Sequence, residues 1–354
     1  MLINMQEPPP LKPLSSKAYK KELTYYHNLI EKLINNMEKV IRGKRQVLEY
    51  LLTTLIAGGH LLIEDVPGLG KTTLAKTIAH LIAIAKTKKA VAFQRIQCTP
   101  DLLPYDITGV DIFDPEHKRF RFLKGPVFTH ILLVDEINRT TPKVQSALLE
   151  VMAENQVTVG KNTYIMDDLF FVVATQNPVE IQGTYPLPQA QLDRFFMKIA
   201  IGYPDEEVEI GIVREDPSLN IMPKIKPICS IEDILGARRF AKQIYCDERL
   251  IQTAVRVSAA TRQHRGVELG ASPRCSIMLL KALRAYALIK GRGYVIDQDL
   301  VKLAPLVVSH RLKFKDIRHN AHEFIKTITL SLLSKINYKE KALHAAEILS
   351  GKKI

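Results

Sequence analysis

The chain has 354 residues, 46% of them hydrophobic and 25% charged, which excludes general disorder and fits two domains at roughly 150 residues each. Lys and Arg outnumber Asp and Glu by 50 to 37, a net charge of +13, and no apolar run approaches the roughly 18 residues that a membrane span requires. Residues 1–14, with Pro8-Pro9-Pro10, lack the apolar stretch of a secretory signal. Cys98, Cys229, Cys246 and Cys275 show neither CxxC pairing nor metal-ligand spacing, so reduced thiols and a cytoplasmic location are expected.

In chain order, the proline-rich start leads into a Lys/Glu-rich helix carrying Leu23, Leu29, Ile30, Leu33 and Ile34. A second helix is predicted over 44–57, with Val47, Leu48, Leu51, Leu52, Leu55 and Ile56 on one face, and Gly58-Gly59 ends it. Short apolar runs at 60–64, 90–96, 131–134 and 169–174 read as parallel strands buried on both faces. Helical patterns alternate with them. The clearest is Pro142–Glu154, whose Val144, Ala147, Leu148, Val151 and Met152 recur at helical spacing. Strand–helix alternation predicts an α/β parallel sheet sandwiched by helices. Two stretches read as hairpins: 110–124, around Asp114-Pro115-Glu116-His117, and 157–166, with Gly160-Lys161-Asn162 at its tip. Beyond Gly202 the texture changes to a helix over 206–214, a proline-punctuated connection over 216–230, and successive helices to the end with no strand alternation. About half of the positive excess lies in 311–354, ten Lys/Arg against four Asp/Glu. Phe314, Phe324 and Tyr338 are too sparse there for a single-strand nucleic-acid platform, and a solvated basic face is the preferred reading.

Asp65-Val66-Pro67-Gly68-Leu69-Gly70-Lys71-Thr72-Thr73 sits between a strand and a helix. Glycines there turn backbone N–H groups onto the β- and γ-phosphates of a nucleotide, and the helix N-terminus adds positive potential. Lys71 adds a point charge and the Thr72 hydroxyl suits Mg²⁺. Asp65 stands where the P-loop pattern has its first glycine, outside the cradle itself. Ile131-Leu132-Leu133-Val134 then delivers Asp135 and Glu136 to a strand's C-terminal end, where α/β sheets bind ligands. Asp135 would hold Mg²⁺ through water and Glu136 would act as general base. Alone, the pair reads as solvated loop carboxylates; downstream of a P-loop it points to nucleoside triphosphate hydrolysis. Asn177, after the strand ending Ala174-Thr175-Gln176, suits orientation of the attacking water.

Together, 58–75, 131–154, 170–199, Gly270-Ala271-Ser272-Pro273-Arg274 and 303–312 resemble the blocks of AAA+ ATPases of the MoxR family, over nearly all of 37–312. Chain texture and the resemblance together predict an N-terminal extension (1–37), an αβα core with hairpin insertions (38–203), a linker (204–230) and an all-helical lid domain (231–354), the extension and the last forty residues lying outside the resemblance. The resemblance implies that Asn177 is sensor 1, that Arg194 is a finger reaching a neighbouring subunit's nucleotide, and that Arg274 is sensor 2, acting on the same subunit's γ-phosphate. A cation in a helix's first turn is electrostatically misplaced, which favours a ligand-facing Arg274. Val40, Ile41 and Gly43 would wall the adenine, with Pro67 to Thr73 around the phosphates. Expected cofactors are ATP and Mg²⁺. Expected partners are further copies in a hexameric ring, a von Willebrand factor type A domain protein and client proteins, with chaperone-like remodelling that includes metal or cofactor insertion. Phe113, Phe120 and Phe122 either touch a client or pack on the body. A nucleic-acid motor and a non-hydrolysing nucleotide-gated scaffold are the alternatives. No recognisable nucleic-acid module supports the first, and the presence of both Lys71 and Glu136 opposes the second.

Overall fold

A computed structural model describes residues 16–85, 87–178, 183–316 and 319–335. The proline run and, within the basic C-terminal segment, residues 317–318 and 336–354, Tyr338 among them, lie outside the described residues. Two helices open the fold, α1 (Ser16–Glu38) and α2 (Arg45–Ala57). α1 buries one stripe, Leu29, Ile30, Leu33, Ile34 and Met37, whereas α2 is buried almost all round. α2 stops because Gly58 takes a left-handed φ of 72°, and its N–H turns back to the Leu55 and Thr54 carbonyls. Gly59 is small for a different reason. A Cβ there would stand 2.2 Å from the Phe196 side chain.

The sheet comprises β1 (Leu61–Glu64), β2 (Phe93–Gln97), β3 (Ile131–Asp135), β4 (Phe171–Gln176) and β5 (Met197–Ile199). All pairings are parallel, in the order β5-β1-β4-β3-β2. The two-residue period sorts side chains into two cores. Leu61, Ile63, Ile131, Leu133, Phe171 and Val173 join α1, α2 and α3 (Lys71–Leu81). Leu62, Leu132, Val134, Val172 and Ala174 face α4 (Pro142–Glu154). β2 departs from the expected two-sided burial: it is the edge strand, and Gln94, Arg95 and Gln97 are exposed.

Both predicted hairpins form, Gly109–Asp114 with Arg119–Lys124 and Gln156–Val159 with Asn162–Ile165. They differ in what they offer solvent. Phe122 stacks on Tyr164 of the second hairpin at 4.3 Å between centroids and packs against Phe128. Phe113 and Phe120 pair with each other and remain 53% and 71% exposed.

The helical half contains α5 (Glu206–Glu215), α6 (Ile231–Ala241), α7 (Glu248–Gln263), α8 (Pro273–Ile289), α9 (Asp297–Val308) and α10 (Ala321–Ser334). Side chains start several of them: Ser230 caps α6 in a reciprocal box with Asp233, and Asn320 caps α10. The region is not free of strands. Val267–Leu269 pairs antiparallel with Lys313–Phe314, too short a ribbon to leave an alternating pattern in the sequence. The linker is pinned as well, Cys229–Ser230 pairing with Ile82–Ala83. α2 packs on α8 and α6, and Glu49, 4% exposed, bonds Lys290 Nζ at 2.6 Å and Tyr286 Oη at 3.3 Å. All four cysteines are buried free thiols. Among the described residues no helix is long and apolar enough to cross a membrane.

Candidate active site

Parallel strands bring their C-terminal ends to one edge, so β1, β4 and β3 place the P-loop, Asn177 and the Asp135-Glu136 pair side by side. The P-loop leaves β1 hydrogen-bonded to its neighbour: Asp65 N–H donates to the Gln176 carbonyl at 3.1 Å, one residue before buried Asn177. Gly68 and Gly70 have φ of 87° and 78°, and a Cβ at either would meet nothing within 4 Å. They are glycines because of backbone conformation, and the space beside them is open to a ligand. Lys71 begins α3 and donates its ammonium to the Asp65 carbonyl at 2.5 Å. Burial lowers the Lys71 pKa, while the charges of Asp65, Asp135 and Glu136 oppose that shift. Thr72 and Thr73 follow in the first turn, and Pro67 and Leu69 complete the loop.

Asp65 is an anchor. One carboxylate oxygen accepts from Val66 N–H at 2.9 Å, the other from Ile201 and Gly202 N–H at 2.7 and 2.8 Å. Two residues from Ile201, the Tyr203 carbonyl accepts Lys44 Nζ at 2.8 Å. The loop is thus tied to the turn containing Val40, Ile41 and Gly43. Val40 and Ile41 are buried, and Gly43, at φ 67°, lies so near Val208 of α5 that a Cβ would stand 3.2 Å from its methyls. α5 forms part of this wall, which its sequence alone did not mark.

The acidic pair is held by residues that sequence reasoning passed over. The fully buried Thr175 hydroxyl donates to Asp135 Oδ1 at 2.6 Å and accepts from Glu136 N–H at 2.9 Å. A hydroxyl does both from a single atom. On the edge strand, Arg95 bonds Asp135 Oδ2 at 2.6 Å and Gln97 bonds Glu136 Oε2 at 3.2 Å. Arg139 reaches the same Oε2 at 3.0 Å. Glu136 sits at φ 56°, a left-handed conformation costly for a residue with a Cβ. A concave backbone, an ammonium, a hydroxyl and paired carboxylates fit a polyphosphate chain carrying a hard divalent cation.

Arg194 and Arg274 are not with these groups. Phe196 N–H donates to the His60 carbonyl just before β1, so the residues preceding β5 lie at the N-terminal ends of the strands. Arg194 donates there to the Leu149 carbonyl of α4 at 2.7 Å. Asp193 beside it accepts Arg311 Nε at 2.9 Å and lies 3.3 Å from the Ser272 hydroxyl. Ser272 precedes Pro273 and exposed Arg274 at the start of α8, so the lid carries Arg274 beside Arg194 and away from Lys71 of the same subunit. The resemblance implies that Arg274 acts on the same subunit's γ-phosphate; in the structure the residue leading into its helix, Ser272, meets Asp193. Asp193 belongs to a latch: Arg311, 2% exposed, also donates to the Asp193, Phe195 and Phe196 carbonyls. The block 303–312 contained Arg311, but nothing in its sequence named the partner. Below the latch, His60 accepts from Val172 N–H at 3.1 Å and donates to the Met152 carbonyl at 3.2 Å. Complete burial pushes its pKa down to about 4.

Residues 60–197 match the ATPase family associated with various cellular activities (AAA), and residues 259–328 match the AAA lid domain. The uncharacterized protein YeaC of Bacillus subtilis is 43% identical over 310 residues, 86% of this chain and 94% of the relative. Chaperone MoxR1 of Mycobacterium tuberculosis is 41% identical over 293 residues, covering 80% of this chain and 75% of the relative. A crystal structure from Cytophaga hutchinsonii, described as a candidate ATPase, superposes with a TM-score of 0.80 at 37% identity, over 91% of this chain and 98% of that one.

Proposed function

The chain belongs to the MoxR family of AAA+ ATPases, and from that membership we propose that it hydrolyses ATP with Mg²⁺ in a hexameric ring, remodelling partner proteins in the cytoplasm. The observation that carries the reading is Thr175, whose one hydroxyl fixes Asp135 and Glu136 beside the strand that leads to Asn177 and the P-loop. In this reading the 68–73 backbone and Lys71 bind the phosphates, Val40, Ile41 and Gly43 wall the base, and Thr72 and Asp135 hold Mg²⁺. The bound ion supplies Lewis-acid polarisation of the phosphoryl oxygens. Glu136 takes the proton of the attacking water. Arg139 and Gln97 both bond its Oε2, which reserves Oε1 for that water. Asn177 orients the water.

Arg194 and Arg274 stand at the end of the sheet opposite their own P-loop, which supports a role for both in the next subunit's site. For that, Arg194 must exchange the Leu149 carbonyl for phosphate. The relative named as a chaperone supports a client-remodelling role, including metal or cofactor insertion. Of the three hairpin aromatics, Phe113 and Phe120 are the ones free to meet a client, and a von Willebrand factor type A domain protein is the proposed partner.

The test is subunit mixing. Lys71→Ala and Arg194→Ala chains, each inactive, should recover phosphate release when mixed, because some interfaces then join an intact P-loop to an intact finger. Exchange without recovery, together with wild-type turnover independent of protein concentration, overturns the ring reading.

A further inference from the structure

Far from the nucleotide residues, the C-terminal ends of α2 and α6 meet the middle of α8 around a cavity of about 250 Å³. Its polar lining is cationic: Arg238 and Lys242 from α6 and its cap, Lys281 and Arg284 from α8, with Gly58 at the α2 end. Among the described residues no carboxylate lines it. Like charges at these i, i+4 and i, i+3 spacings repel along each helix, and the two helices bring the pairs together. Two helix C-termini contribute roughly half a negative charge each, which leaves most of the positive charge unmatched.

The hydrogen bonds tell the four cations apart. Arg238 is spoken for, its Nε on the Leu55 carbonyl at 3.0 Å and its Nη1 on the Asp168 carbonyl at 2.8 Å. Arg284 is not: its Nε is buried and has no hydrogen-bond partner among the described residues. A buried guanidinium N–H without an acceptor costs about 1–3 kcal/mol, more when charged, so such a group calls for a ligand. Burial and then the neighbouring Lys242 charge lower the Lys281 pKa, the environment of an ammonium that gains from an added anion.

We propose that this cavity is a binding site for a compact phosphoryl anion, held by the forked donors of Arg284 with Lys281 and Lys242, and bridging α2 to the lid helices. Guanidinium forks match tetrahedral oxyanions, and the small volume selects a phosphate or diphosphate group over a polymer. The anion pulls α8 onto α2. Because Arg274 lies in the first turn of α8, filling the site sets the angle at which that arginine is presented. Binding itself does not depend on the ATPase reading.

The experiment uses the full chain carrying Lys71→Ala, which disables the P-loop as a competing phosphate site. Titrated with pyrophosphate by calorimetry, it should bind and show a raised melting temperature. Arg284→Gln or Lys281→Gln should weaken that binding by about tenfold or more. ADP in place of pyrophosphate separates the sources: competition at the same residues identifies a nucleotide's phosphates, and its failure identifies free inorganic anion. Should a variant fail to fold, pyrophosphate must still protect Lys281 from amine acylation, read by mass spectrometry on otherwise unaltered lining. Undiminished affinity in both variants, absence of binding at low ionic strength, or unprotected Lys281 overturns the proposal and leaves the cations as caps for two helix ends.

Discussion

The two ends of one parallel sheet use the same kinds of charged residue to opposite effect. At the C-terminal ends, Asp135 is held by Thr175 and Arg95 and Glu136 by Gln97 and Arg139, yet both carboxylates remain partly solvated. At the N-terminal ends, Arg311 is enclosed and engaged on every side by Asp193 and backbone carbonyls. A partly solvated charge can still react or bind, whereas a fully satisfied buried one can only hold. The difference lies in the partners, and each end can be attacked separately.

Glu136→Gln should have the largest effect, lowering phosphate release by about 10²- to 10⁴-fold while nucleotide binding persists, because the amide keeps shape but cannot take a proton. Turnover near wild type would remove Glu136 from the chemistry. At the other end, Arg311→Met should cost about 3–5 kcal/mol in chemical denaturation, since it strands Asp193 and several carbonyls. A loss below about 1 kcal/mol would mean that lid and core do not depend on the latch.

Acid should find the same lower end. His60 has a folded pKa of about 4 against a free value near 6.5. Its stabilisation is complete above about pH 6.5 and is lost as pH falls towards 4, by up to about 3 kcal/mol. Burial and the adjacent Arg311 hold His310 well below its usual pKa, in the same sense. Denaturation midpoints at pH 8, 6 and 5 should therefore fall in order, and less steeply in His60→Gln. Smallest is Thr175→Val: about a tenfold loss of turnover with little change in melting temperature, because only the aim of Asp135 and Glu136 is disturbed. A large stability loss with unchanged turnover would make Thr175 structural.

The candidate residues were legible because each follows a buried strand or opens a helix, so local pattern singled out Lys71, Asp135, Glu136 and Asn177, which the sheet brings to one edge. Their supports were not. Thr175 looks like any strand residue until β4 is placed between β1 and β3, and Arg95 until its strand is known to lie at the edge. The Asp193–Arg311 pair spans 118 residues of chain, a separation at which no local periodicity reports contact. The same distance hid Arg274's neighbours, for the contacts that seat the helical lid on its core join residues far apart in the chain.

Glu49 and Lys290 have a consequence for how the chain is made. α1 and α2 are synthesised before the rest of the fold, yet part of their apolar surface is covered by α6 and α8, and Glu49, which meets Arg45 of its own helix at 3.7 Å, gains the closer Lys290 only when residue 290 has emerged. At the usual 5–20 residues per second, the interval from Ala57 to Lys290 is on the order of 10 to 50 seconds. During that time the nascent chain exposes an apolar helix pair whose Glu49 has only the longer contact to Arg45. The ribosome therefore releases a molecule whose first helices are among the last to settle, and truncation anywhere before α8 should yield an aggregating product even when the entire five-stranded sheet has been made.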